Sequence, residues 1–101
     1  MIEEEIKKCL VADDHWISRK GLIYTISKKF VNFTFDEASS LDEIIERLKE
    51  NKYDLLLFDF DYSDNNIASR IELIMELAPE AKIVIITSLL TYFQFFTLKI
   101  M

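Results

Sequence analysis

Short, fully apolar runs alternate along this chain with longer segments in which apolar residues recur every three or four positions. The clearest run is Leu55-Leu56-Leu57-Phe58, held between Asp54 and Asp59. It is too short for a helix and reads as a strand buried on both faces, at the centre of a parallel sheet. Residues 6–12 predict another strand, with Cys9-Leu10-Val11-Ala12 apolar. Residues 82–87 predict a third fully buried one, Lys82-Ile83-Val84-Ile85-Ile86-Thr87, rich in β-branched side chains. Phe33-Thr34-Phe35 alternates instead, which suits an edge strand with one face partly exposed.

The helical spacing fills the intervals. Over residues 15–29, Ile17, Gly21, Leu22, Tyr24, Thr25, Ile26 and the following Phe30 predict the buried side, while Arg19, Lys20, Lys28 and Lys29 predict the wet one. Gly21 inside a helix costs about 1 kcal/mol against alanine. Close packing of that helix on the sheet is the expected reason for it. Ser40, with Glu43 three residues on, forms a capping box ahead of the stripe Leu41, Ile44, Ile45 and Leu48, and Asn51-Lys52 ends that helix. After Asp61, Tyr62-Ser63-Asp64-Asn65-Asn66 is a polar turn cluster. Residues 67–77 predict a third helix, with Ile71, Leu73, Ile74, Met75 and Leu77 apolar, stopped by Ala78-Pro79.

Strand and helix thus alternate three times before a last strand. That order predicts an α/β fold: a doubly wound parallel sheet with right-handed crossovers and helices on both faces. Residues 1–88 hold this core. Residues 89–101 differ in kind, being apolar almost throughout with Lys99 as their one charged side chain. An exposed apolar surface of that size usually meets a partner. Either the tail carries no evolved role, or it completes the sheet or docks on another copy of the chain.

Composition narrows the function. The chain has 101 residues, 50% hydrophobic and 30% charged, which fits one globular domain and argues against disorder. A formal charge of −6 argues against nucleic-acid binding and leaves acids free to hold a cation. Cys9 is the only cysteine, so no internal disulfide forms, and a small buried thiol fits a reducing cytoplasm. The start Met1-Ile2-Glu3-Glu4-Glu5 is no secretion signal, and no run is long enough to span a bilayer. With one glycine and one proline, the chain has no Gly-rich phosphate loop.

The acids supply the candidate chemistry. The first and third strands are expected side by side in mid-sheet, so Asp13, Asp14 and Asp59 should converge at their carboxyl ends, where open α/β sheets place their ligands. Carboxylates that close repel unless one is protonated or a cation sits among them. An all-oxygen set suits Mg²⁺. Thr87, ending the neighbouring strand, can offer its hydroxyl to a phosphoryl oxygen. A carboxylate nucleophile, a divalent cation and a hydroxyl donor together suggest phosphoryl transfer onto aspartate.

Five segments carry a resemblance: Val11-Ala12-Asp13-Asp14-His15, Arg19-Lys20-Gly21-Leu22, Glu37-Ala38-Ser39-Ser40, Tyr53-Asp54-Leu55-Leu56-Leu57-Phe58-Asp59 and Ile83-Val84-Ile85-Ile86-Thr87. In order and spacing the chain resembles a bacterial two-component response-regulator receiver domain, most closely the LuxR/NarL type. The resemblance implies a flavodoxin-like receiver fold in which Asp59 accepts a phosphoryl group from a sensor histidine kinase. It implies Mg²⁺ held at Asp13, Asp14 and Asp59, with the backbone carbonyl of Asp61 as a further ligand. Thr87 would be the switch hydroxyl. The implied setting is phosphorelay signalling in the cytoplasm, regulating transcription through an output domain that lies outside this chain. His15 falls where many LuxR/NarL receivers carry histidine and reads as a helix-start residue, not a metal ligand.

The chain departs from that pattern in two places. Ser63 stands where the family usually has proline, and no glycine follows. The usual fifth strand with its terminal lysine, and the fifth helix, are expected to be missing, which leaves the fold incomplete at its carboxyl end. No catalytic lysine is identified, since Lys99 comes too early by about two to three helical turns' worth of residues. An open sheet edge and an apolar tail then favour self-association as a dimer or larger homo-oligomer. One alternative is a receiver-fold interaction module that works without phosphate. Another follows from Asp59-Phe60-Asp61-Tyr62-Ser63, which resembles the first motif of haloacid-dehalogenase-like phosphatases, with Asp59 as nucleophile and Asp61 as general acid. Enzymatic turnover is not expected beyond self-phosphorylation and self-dephosphorylation.

Overall fold

A computed structural model of the chain describes residues 5–59, 67–87 and 94–98, with residues 59, 67–69, 85–87 and 94–98 described by backbone alone. The elements follow in the order β1 (Lys7–Ala12), α1 (Trp16–Lys29), β2 (Phe33–Ala38), α2 (Leu41–Glu50), β3 (Leu55–Asp59), α3 (Ile67–Leu77), β4 (Lys82–Thr87) and β5 (Gln94–Leu98). They build one sheet of order β2-β1-β3-β4-β5. β1 pairs in parallel with both β2 and β3, and β3 in parallel with β4, so the expected parallel sheet stands with β1 and β3 at its centre.

Period-two alternation along the central strands serves two layers at once. Leu10 and Ala12 of β1, Leu56 and Phe58 of β3 and Ile83 of β4 face one side. There they pack with Leu41, Ile44 and Leu48 of α2 and Ile74 of α3. Cys9 and Val11, Leu55 and Leu57, and Val84 face the other side, against Leu22, Ile23 and Ile26 of α1 and Phe33 and Phe35 of β2. Phe58, Leu10, Leu56 and Ile83 are wholly buried. Each large apolar side chain so placed contributes about 1.5–3 kcal/mol over its exposed state.

Backbone bonds set the register. The Asp54 amide donates to the carbonyl of Lys8 at 2.8 Å, and its own carbonyl accepts from the Lys82 amide at 3.0 Å, so the residue before β3 ties it to both neighbours. The Asp54 carboxylate also accepts the Lys8 amide at 2.8 Å. At α2 the expected capping box is present with one change. The Ser40 hydroxyl accepts the Glu43 amide at 3.2 Å, but the Glu43 carboxylate reaches back one residue further, to the Ser39 amide at 2.8 Å.

Two expectations are corrected. The buried side of α1 is made by Leu22, Ile23 and Ile26, while Ile17 is 70% exposed, Tyr24 63% and Phe30 52%. Apolar residues line both sides of this helix, so spacing alone could not choose between them. Arg19, expected in solvent, is only 15% exposed. Gly21 does not serve close packing either, because a Cβ added there would meet nothing within 4 Å.

The tail contributes a strand to the sheet, one of the two readings open for it, but not a parallel strand ending in lysine. Gln94–Leu98 pairs with β4 from Thr87↔Gln94 to Ile83↔Leu98, antiparallel to the rest of the sheet. A parallel return needs a crossover of about a dozen residues or more, and only residues 88–93 intervene. The antiparallel sense follows from that short interval.

Candidate functional site

The parallel register lines up the acidic residues. Ala12 is level with Phe58 across β1 and β3, and Asp13 and Asp59 each follow by one residue. On the other side Asp59 is level with Ile86, one residue before Thr87. The backbone positions of Asp13, Asp59 and Thr87 therefore share the carboxyl edge of three adjacent strands. The side chains of Asp59 and Thr87, and all of Asp61, Ser63 and Lys99, lie outside the described residues.

Asp13 leaves β1 with its side chain wholly buried. Its amide donates to the Ala38 carbonyl at 3.0 Å, extending the β1–β2 pairing past the end of the strand. Its Oδ1 accepts the His15 amide at 2.9 Å, which steers the chain into α1. Its Oδ2 is buried and, among the described residues, has no hydrogen-bond partner. A buried carboxylate oxygen left without a donor costs about 1–3 kcal/mol or more. An acceptor of this kind suits a cation ligand.

Asp14 is partly exposed beside it. The His15 ring turns to this pair, its Nδ1 lying 2.9 Å from Asp14 Oδ1 and 3.5 Å from Asp13 Oδ1. One ligand atom from each of Asp13, Asp14 and His15 falls within 4.8 Å of the others. His15 does occupy the N-cap of α1, as expected of a helix-start residue, but its side chain makes no cap bond. The oxygens fit a divalent cation: a buried carboxylate oxygen unpartnered among the described residues, and a second carboxylate at the rim.

Arg19 and Lys20, both expected in solvent, form a cationic brace that supports the acidic loop. Arg19 donates from Nη1 to the Asp13 carbonyl at 2.7 Å and from Nε to Glu37 Oε1 at 2.8 Å. Lys20 donates to Glu37 Oε2 at 2.7 Å. Bonds from Lys20 and then Arg19 hold the Glu37 carboxyl below its ordinary range. The signal for this brace lay in the register, since Glu37 pairs with Val11 two residues before Asp13.

Elsewhere, burial pushes the Cys9 thiol up to about 12, so it is an inert core group. Burial, and then its 2.6 Å bond to Asp36, raise the Tyr53 hydroxyl well above the usual phenol range. β5 reads Gln-Phe-Phe-Thr-Leu and offers no lysine, and it is Gln94 whose backbone is level with Thr87. Among the described residues no helix is long and apolar enough to cross a membrane.

No protein-family model matches the chain, and no curated protein matches it in sequence. Solved structures do match it in fold. A response regulator protein from Burkholderia pseudomallei, with a phosphorylated aspartic acid, a calcium ion and citrate, superposes with a TM-score of 0.73 at 21% identity. That match covers 83% of this chain and 48% of the other, so the chain spans about half the length of that protein. The receiver domain of NtrC4 from Aquifex aeolicus superposes with a TM-score of 0.65 at 24% identity, covering 82% of this chain and 67% of that one. The chain has the flavodoxin-like α/β fold of these receiver proteins.

Proposed function

We propose that the chain is a phosphoacceptor receiver of two-component signalling, taking a phosphoryl group on Asp59 from a sensor histidine kinase. The observation that carries this reading is the wholly buried Asp13 with its unpartnered Oδ2, beside Asp14 and level with Asp59 at the carboxyl edge of the sheet. The match to receiver folds supports it.

In this reading Asp13, Asp14 and Asp59, with the backbone carbonyl of Asp61, hold Mg²⁺. When bound, the cation supplies positive charge against the clustered carboxylates and the incoming phosphoryl oxygens. The chain's own residues do the rest. An Asp59 carboxylate oxygen forms the new bond to phosphorus as the bond to the kinase's imidazole nitrogen breaks, and the released imidazole takes up a proton. Thr87, one position past the residue that pairs with Asp59, turns its hydroxyl to the phosphoryl group as the switch. Arg19, held by Glu37, keeps the Asp13 carbonyl fixed so that the acidic loop does not relax away from the repelling charges.

The finer assignments belong to the same reading. They are a LuxR/NarL-type regulator in the cytoplasm, control of transcription through an output domain outside this chain, and homo-oligomerisation through the sheet edge and apolar tail. β5 supports the last, because among the described residues it ends the order of the sheet, and an edge strand is a template for pairing with a second copy.

Incubation with a small-molecule phosphoryl donor, with and without Mg²⁺, tests the proposal by intact mass. Uptake of one phosphoryl group, lost in Asp59→Asn and without Mg²⁺, is expected. Uptake by Asp59→Asn would overturn the site. A folded wild-type protein that takes up nothing would favour a phosphate-independent interaction module. Release of phosphate from a generic ester, abolished in Asp61→Asn, would favour the phosphatase alternative.

A further inference from the structure

The set of atoms at the head of α1 includes a nitrogen that an all-oxygen Mg²⁺ site does not use. His15 is the chain's only histidine, and its Nδ1 is turned onto the two carboxylates, although its ring is largely exposed and could have pointed to solvent. We propose that His15 is a further protein ligand of this cation site, adding an imidazole to the Asp13 and Asp14 carboxylates so that the site binds Zn²⁺ or a similar first-row divalent ion. The inference rests on the Asp13–Asp14 cation site proposed above and names the class of ion it takes.

Distances and burial carry the proposal. Ligand atoms about 2.0–2.2 Å from one metal ion stand about 2.8–3.6 Å apart at octahedral or tetrahedral angles. Nδ1 lies 2.9 Å from Asp14 Oδ1 and 3.5 Å from Asp13 Oδ1, so the spacing already suits a shared ion. The second observation is independent of the histidine. Asp13 is wholly buried, and among the described residues its Oδ2 has no hydrogen-bond partner, so the inner carboxylate of this cluster has an acceptor oxygen to offer. An ordinary His–Asp ion pair would use Asp14 and leave that oxygen as it is. Imidazole binds Zn²⁺, Ni²⁺ and Cu²⁺ well, whereas Mg²⁺ keeps to oxygen ligands. His15 should therefore strengthen binding of the former ions and leave Mg²⁺ affinity almost untouched.

Two probes lie at the site. Trp16, the only tryptophan, follows His15 directly and is 64% exposed, so its fluorescence reports cation binding. The single imidazole gives one pair of ring-nitrogen resonances in ¹⁵N-labelled protein carrying no affinity tag. Zn²⁺ titration is expected to saturate, moving Nδ1 to a metal-bound shift, while Mg²⁺ changes Trp16 fluorescence and leaves the ring nitrogens in place. His15→Ala should lower Zn²⁺ affinity by about tenfold or more with Mg²⁺ affinity unchanged, and Asp13→Asn should lower both. Zn²⁺ binding that leaves both ring nitrogens unshifted, or that His15→Ala does not weaken, overturns the assignment of His15. Mg²⁺ binding lost in Asp13→Asn would keep the receiver reading standing in that case. Binding of neither cation to the wild-type protein overturns both.

Discussion

The guanidinium of Arg19 donates to the main-chain carbonyl of Asp13 at 2.7 Å, so the first turn of α1 grips the loop that carries the acidic pair. The same side chain is fixed from behind by Glu37 on β2, and three elements meet at one group. A lysine could reach one of these acceptors but could not present two donors in a rigid fork. Arg19→Ala should cost about 2 kcal/mol of stability in urea unfolding, since two charge-assisted bonds are lost at a mostly buried position. Arg19→Lys should recover less than half of it. If the brace also positions the cation site, the Mg²⁺ concentration that half-changes Trp16 fluorescence rises severalfold in Arg19→Ala and by less in Arg19→Lys. A purely structural brace would leave that midpoint alone.

Gly21 gives a prediction of the opposite sign. It sits inside α1 with open space where its Cβ would be, and no described glycine has positive φ. Alanine there removes unfolded-state freedom and restores helix propensity with no clash. Gly21→Ala should raise stability by about 0.5–1 kcal/mol, read as a higher urea midpoint at constant slope. A loss of stability would mean that the helix face around Ile17 and Tyr24 is covered in solution.

What the sequence revealed of this molecule depended on how sharply each pattern was written. The runs around Leu10, Leu56 and Ile83 could be nothing but strands buried on both faces, and their order placed Asp13 and Asp59 on adjacent strands before any coordinates. α1 was ambiguous because Ile17 and Tyr24 lie on one side and Leu22 and Ile26 on the other, so periodicity offered two faces of similar weight. The brace was illegible for a different reason. Arg19 and Glu37 meet only because β2 pairs with β1 in a register that sequence spacing does not state. The antiparallel sense of β5 could have been read, since residues 88–93 are too few for a crossover. Resemblance to a parallel five-stranded family pointed away from it.

Glu37 makes the brace sensitive to acid. Its carboxyl is held below the ordinary value of 4.5, first by the bond from Lys20 and then by the bond from Arg19. A depressed carboxyl contributes stability that is fully present above its unfolded value, here above about pH 4.5, and that fades as pH falls through the folded value. Glu37→Gln should therefore be less stable than wild type at pH 7. The two unfolding midpoints should converge as pH is taken below 4. Equal stability at pH 7 would show that the contacts to Lys20 and Arg19 contribute nothing net, as many exposed ion pairs do.

Asp13 sets stability against cation binding, and the sign of its substitution should depend on what is in solution. Among the described residues its buried Oδ2 has no partner, and an unmet buried oxygen destabilises a folded state. Asparagine keeps the Oδ1 that accepts the His15 amide while removing the charge. Asp13→Asn should then be more stable than wild type by about 1 kcal/mol or more in chelator. A ligand that binds only the folded state stabilises it in proportion to the logarithm of its concentration above Kd. Adding Mg²⁺ or Zn²⁺ should therefore raise the wild-type melting temperature more than that of Asp13→Asn, so that the gap between the two proteins narrows and then reverses. Thermal unfolding of both proteins across a cation series is the measurement. An Asp13→Asn protein that is less stable in chelator would mean that Oδ2 is already satisfied in solution, and the cation site would lose its main support.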